Sequence, residues 1–332
     1  MTSFGLDDPV LHQARMRAGA GAWREVASLL EGQCEQLTER PERLTLYAEA
    51  LLRCGEPQHA RACLEAATPL LERTAHRGAH RTALNLLGAA SFAVGALDEA
   101  QAAWDRLLEL AQQTDDVLLL ARATNNLGAI ANLRGARHDA LRLYNLAVPV
   151  YQRLGELRGL AETFHNLAMT YRDLGDLTQS DEYERRAMDY AREAGAPRLA
   201  IMAQVGRAEV ALRSSDFRLA SATATYAAAD AERHGDFETA ADAYRCAGEA
   251  ETALGNHAAA RRLLSAAAAH TARGGPAIVD AEVTFASAVL AFRTGDRDRA
   301  RRDASHAAEA FDRLGAGAER QRALDLLLEL DA

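Results

Sequence analysis

The sequence contains no lysine; all 38 of its fixed positive side chains are arginine. A GC-rich coding sequence is the expected source of this bias, since nothing selects arginine over lysine at every exposed site. Aromatic residues make up 5% of the chain, too few for one thick globular core and better suited to thin helix–helix seams. The formal charge of −9 argues against a general nucleic-acid binder or a binder of anionic membranes. The four cysteines, Cys34, Cys54, Cys63 and Cys246, form no C-x-x-C pattern. Cys54 and Cys63 straddle one turn, and all four are expected to be reduced core thiols. No run of eighteen apolar residues occurs, and residues 1–15 lack the apolar stretch of a signal peptide. A soluble cytoplasmic chain without a targeting or membrane segment is expected.

What the chain does contain is repetition. Residues 121–135 read A-x-x-x-N-N-L-G-x-I-x-x-x-x-G, and residues 161–175 read A-x-x-x-H-N-L-A-x-x-Y-x-x-x-G. The phrase returns forty residues later, with a second helical phrase, His138 to Leu154, in between. Marker residues follow the same period: Gly55, Gly95, Gly135, Gly175, Ser215, Gly255 and Gly295, with Gly21 thirty-four residues earlier. Small residues stand seven before each marker (Gly88, Gly128, Ala168) and five after it (Ala100, Ala140, Ser180). Bulky neighbours such as Trp104, Tyr144, Leu127 and Leu264 fill the space beside them, as ridges fill grooves. A second ladder, Gly155, Gly195, Gly235, Gly275 and Gly315, marks the turn between units. A helix–turn–helix unit at fixed period is a solenoid.

The pattern predicts an all-α fold of about eight antiparallel helix pairs in one domain over 1–332, closed by a cap helix over 318–330. Asp8 before Pro9 predicts the first helix start, capped and led by proline. The first pair is expected over Pro9–Ala18 and Trp23–Gln36. Pro69 and Pro149 fall inside second helices and predict a local bend there.

This set of small and bulky residues resembles the tetratricopeptide repeat over roughly nine-tenths of the chain. The forty-residue units are similar to those of kinesin light chains and Rap-type peptide receptors. The resemblance implies a right-handed superhelix whose first helices line a concave groove. The columns ten, nine, six and three before each marker then face inward. They hold Asn85, Asn125 and Asn126, then His165 and Asn166, with Asn132, Met169 and Arg172 lower down, and Glu209, Arg245 and Glu249 in later units. Arg122, Glu162 and Met202 stand at the groove edge. An amide side chain pairs with both C=O and N–H of an extended backbone. The resemblance therefore implies peptide contact at Asn125, Asn126 and Asn166, supported by Asn85 and His165. The same amides can instead bond a neighbouring unit and act as spacers, since buried polar groups need partners either way.

Signals for chemistry are thin. Glu72, His76 and His80 have helical spacing, but Gly78 is expected to break the helix between the two histidines, so no metal is expected. His165 has no cysteine or serine at convincing spacing, so no catalytic residue and no cofactor are assigned. The lysine-based clamp of chaperone-binding repeats is missing. The expected function is a non-catalytic scaffold or adaptor that binds a peptide or partner segment in the groove. The alternative is a peptide sensor acting through a partner transcription factor or signalling protein, because the first repeat starts near Pro9 and leaves no room for a DNA-binding segment. No direct nucleic-acid or membrane partner is expected, and a homodimer is compatible with the pattern.

Overall fold

The computed structural model describes residues 8–31, 40–74, 77–273 and 276–331. Among them are seventeen helices and no strand. They are α1 (Pro9–Gly19), α2 (Trp23–Glu31), α3 (Pro41–Arg53), α4 (Pro57–Glu72), α5 (Arg77–Ala93), α6 (Leu97–Gln113), α7 (Val117–Leu133), α8 (Arg137–Leu154) and α9 (Leu157–Asp173). Then follow α10 (Leu177–Glu193), α11 (Pro197–Arg213), α12 (Phe217–Arg233), α13 (Phe237–Ala253), α14 (His257–Thr271), α15 (Ala277–Arg293), α16 (Arg297–Arg313) and α17 (Gly317–Asp331). Odd-numbered helices are the first of each pair, even-numbered the second, and α17 is the cap. They form two compact units, 1–113 with α1–α6 and 114–332 with α7–α17, where the sequence predicts one continuous stack. Within each unit consecutive helices pack in pairs, the arrangement of an α-solenoid.

The turns explain the ladders. Gly135 has φ 80°, a left-handed corner that costs glycine little, and Ser215 takes the same corner at φ 63°. There Ser214 Oγ donates to the Val210 carbonyl at 2.7 Å, and Asp216 accepts from the Leu219 amide at 3.1 Å, so polar side chains stabilise the turn. Asp115, at φ 49°, fills the missing slot of the second ladder, forty residues before Gly155. Gly275 of that ladder lies outside the described residues, as do Cys34 and His76. At the first helix, Asp8 accepts from the Leu11 amide at 3.0 Å. The hydrogen bond from Arg43 holds the Asp8 carboxyl far below the usual carboxylate range.

Close approach of the helices follows from the small residues. A Cβ on Gly88 would stand 2.3 Å from Trp104 Nε1, and one on Gly128 would stand 2.6 Å from Tyr144 Cε1. Each large side chain is thereby buried flat against its partner's backbone. In unit 114–332 the pattern yields a run of clusters, among them Tyr144, Tyr151, Phe164 and Leu167. Leu133 of α7 packs against the Ala281–Phe311 cluster of α15 and α16, bringing the ends of this unit together. Leu326 and Leu330 of α17 cover Ala288, Ala291, Ala300 and Ala304, the task expected of the cap. Helices α4 and α8 run through Pro69 and Pro149. No helix among the described residues is long and apolar enough to cross a membrane.

The break expected at Gly78 lies elsewhere. Helix α4 ends at Glu72, and Gly78 belongs to the first turn of α5. Glu72 accepts from Arg106, and His80 is buried. No group of three metal-ligating side chains occurs among the described residues.

Gly128→Ala tests the packing rule. The buried Tyr144 ring has no room to retreat, so the substitution is expected to cost about 1–3 kcal/mol. Urea unfolding of the full chain measures it, and an unchanged midpoint contradicts the rule.

Candidate functional site

Register puts groups from successive first helices side by side. Within unit 114–332, helices α9, α11, α13 and α15 line a cleft of about 100 Å³. Its walls carry His165, Met169 and Arg172 from α9, then Met202, Val205, Gly206 and Glu209 from α11. Glu238, Thr239 and Asp242 of α13 and Val279 of α15 complete it. The inward columns read from the sequence thus meet here at His165, Met169, Arg172 and Glu209, with Met202 from the groove edge.

Next to the cleft lies Arg245, a buried guanidinium with four carboxylates around it. It bonds Asp242 through Nη2 at 2.6 Å and Glu249 through Nη1 at 2.6 Å, and it also pairs with Glu209. Glu282 of α15 stands 3.6 Å from Nε. Arg172 Nη1 reaches Glu209 at 3.9 Å, while Arg172 Nε is buried without a hydrogen-bond partner.

The carboxylates divide by how far positive charge offsets their burial. Burial pushes the Glu209 carboxyl up, but Arg245 and Arg172 more than reverse this and hold it at about 2. Burial pushes Glu282 up to about 7 and also raises Glu249, and in neither case does Arg245 fully offset it. Glu238 is exposed at the cleft mouth; the protein around it and the neighbouring Asp236 push it up to about 7. Asp236 itself is buried and is held down by a bidentate Arg198 at 2.8 Å.

The asparagines behave differently from a ligand ladder. Asn125 is 5% exposed; its Oδ1 accepts from Asn166 Nδ2 at 3.2 Å, and its Nδ2 donates to Asn126 Oδ1 at 3.4 Å. The Asn125–Asn166 bond joins α7 to α9, which is the spacer geometry. Asn132 Nδ2 lies 3.5 Å from Asp173 Oδ2 across the same helix pair. Arg122 is exposed, 3.8 Å from Glu156. Asn85 is half-buried on α5, in the 1–113 unit. The sequence columns missed Glu238, Asp242 and Glu282, which stand thirteen or more residues before their markers. They also missed Glu184, discussed below.

Residues 79–153 match the family model described as tetratricopeptide repeat. That stretch spans α5 to α8. Among solved structures, this repeat chain is similar to a Rap protein complexed with competence and sporulation factor, at 13% identity over 97% of this chain and 98% of that one, with a TM-score of 0.67. It is also similar to aspartyl phosphate phosphatase F from Bacillus subtilis, at 13% identity over 100% and 95%, TM-score 0.55. A tetratricopeptide repeat protein from Parabacteroides merdae aligns at 15% identity over 88% and 99%, TM-score 0.52. At such identities the likeness establishes the fold alone. No curated protein matches the sequence.

Arg245→Ala leaves the buried Glu209 and its neighbours uncompensated and is expected to cost about 3–5 kcal/mol near pH 8. A carboxyl raised in the folded state binds extra protons between its unfolded value and its folded one, so stability falls as pH rises through that window. Glu249 and Glu282 are raised in this way, and removing Arg245 raises them further. The loss is therefore expected to shrink near pH 5, below the value of about 7 for Glu282. Urea unfolding at the two pH values measures it, and an equal loss at both contradicts the charge assignment.

Proposed function

We propose that this chain is a non-catalytic interaction protein whose 114–332 unit captures a peptide or a partner's segment, seating a basic side chain in the cleft of α9, α11 and α13. The observation that carries this is the charge surplus. Glu209, Glu238 and Asp242 line the cleft against the single guanidinium of Arg172, and Arg245 behind them already serves four carboxylates. Desolvation by the surrounding protein first, and the neighbouring acids after it, raise Glu238 and Glu282 to about 7, and a bound cation offsets the cost of ionising them. Met169, Met202, Val205 and Val279 offer apolar contact to the aliphatic stem of a lysine or arginine. Asn166 Oδ1, which no described residue bonds, is left to accept from a ligand N–H.

A second reading is a regulator that senses a peptide and acts through a partner protein. It draws support from the near-complete mutual coverage with the Rap protein complexed with competence and sporulation factor. That likeness of fold transfers no activity, nor does the one to the phosphatase. The net charge of −9 favours neither nucleic acid nor an anionic membrane as partner, and we place the protein in the cytoplasm.

Selection of a random-sequence peptide library on the full chain tests the proposal. Recovered peptides are expected to carry lysine or arginine beside aliphatic residues. Glu238→Gln combined with Asp242→Asn is expected to weaken their capture about tenfold, or about 1.4 kcal/mol. Capture is expected to be tighter at pH 8 than at pH 6, because carboxyls near 7 gain charge across that interval. Enrichment of acidic peptides, or capture indifferent to the double substitution, contradicts the proposal.

A further inference from the structure

Nine residues after each marker, the second helix buries one side chain: Leu64, Trp104, Tyr144, Glu184, Ala224, Leu264 and Ala304. Glu184, 1% exposed, is the one charged member of this apolar column. An uncompensated carboxylate at such a position is costly, and leucine already serves the structural need at 64 and 264. The surroundings are fitted to the carboxylate. His165 Nδ1 lies 2.8 Å from Glu184 Oε2. Position 206 is glycine, where a Cβ would stand 1.9 Å from Oε1. Oε1 is buried with no hydrogen-bond partner and lies against Gly206, which lines the cleft.

An ionised carboxylate only accepts, so the imidazole Nδ1 must carry the proton of that bond. His165 lines the cleft, and no described residue bonds its Nε2. We infer that Glu184 is a positioning residue: from the second-helix column it fixes the His165 ring through Nδ1–H and favours its cationic form, with Nε2 toward the cleft. With the cleft as the cation site proposed above, seating a cation there is coupled to release of the His165 proton.

The groups around the ring agree. Glu184 faces it from α10, Arg172 from its own helix, Glu209 from α11, and Asp242 and Glu238 from α13. Helix α7 contributes the uncharged Asn125, bonded to Asn166, the residue after His165. Burial alone pulls the His165 pKa down, but the Glu184 charge and hydrogen bond reverse this and leave it above the ordinary histidine value. Below that raised value the ring is positive and opposes a cation in the cleft; as pH rises through it, the opposition is lost. Burial also pushes the Glu184 carboxyl up, with His165 and Arg172 holding it down in part.

Histidine Cε1–H titration by NMR on the full chain tests this, with the His165 signal assigned by its loss in His165→Asn. The wild-type midpoint is expected above the ordinary value of about 6.5. Glu184→Gln is expected to lower it by about one unit or more, a roughly tenfold loss of proton affinity, and Glu184→Asp to restore part of the shift. Saturating N-acetyl-arginine amide, a probe with one fixed cation and no carboxylate, is expected to lower the wild-type midpoint. A wild-type midpoint at or below the ordinary value overturns the inference, as does one that Glu184→Gln leaves in place while the helical melt is intact. Should Glu184→Gln fail to fold, the wild-type midpoint and a downfield Nδ1–H resonance decide, and their joint absence overturns it. A Glu184-dependent midpoint that the probe does not move supports the positioning role and overturns the cation site instead.

Discussion

The structure depends on one contact repeated along the chain: a glycine or alanine on one helix lying flat beneath a large side chain on the next. Gly88 under Trp104, Gly128 under Tyr144 and Gly248 under Leu264 leave no space for even one added carbon. That intimacy lets thin seams of alanine and a few rings bury enough apolar surface without a thick core. Because the contact recurs at a fixed interval, the helices keep register, and residues forty apart arrive in columns.

Register is what creates the cleft. Arg245 gathers carboxylates from three successive first helices, Glu209 on α11, Asp242 and Glu249 on α13, and Glu282 on α15. No short segment of sequence contains this cluster. Burial pushes up both Glu209 and Glu282, and the one guanidinium they share does not offset it for Glu282, while Glu209, touched by two arginines, is held low. Unequal sharing of positive charge along one face distinguishes this cleft from a merely polar surface.

Much of the fold was legible in the sequence because glycine, alanine and bulky residues have opposite steric demands at fixed offsets. The eight pairs, the cap and the substitution of Ser215 for a turn glycine all follow from that. Asp115 did not, since an aspartate in a left-handed corner resembles any other loop residue. Of the site, the inward columns were legible at His165, Met169, Arg172 and Glu209. The role of Asn125 was not, because an amide offers the same donors and acceptors to a ligand and to Asn166, and only the 3.2 Å bond between helix pairs separates the two. Glu184 was overlooked although its signal was present: a charge in a column of Leu64, Tyr144 and Leu264.

Carboxyls that the protein desolvates and no arginine fully offsets hold protons more tightly than they would alone, whatever ligand later fills the cleft. Carbon-detected NMR of the glutamate carboxyls, followed from pH 3 to pH 9 (about the range between ordinary glutamate and histidine behaviour and beyond), reads this directly. The account predicts that Glu238 and Glu282 titrate near 7, with Glu209 already ionised at the acid end. Ordinary glutamate midpoints at both Glu238 and Glu282 would contradict it.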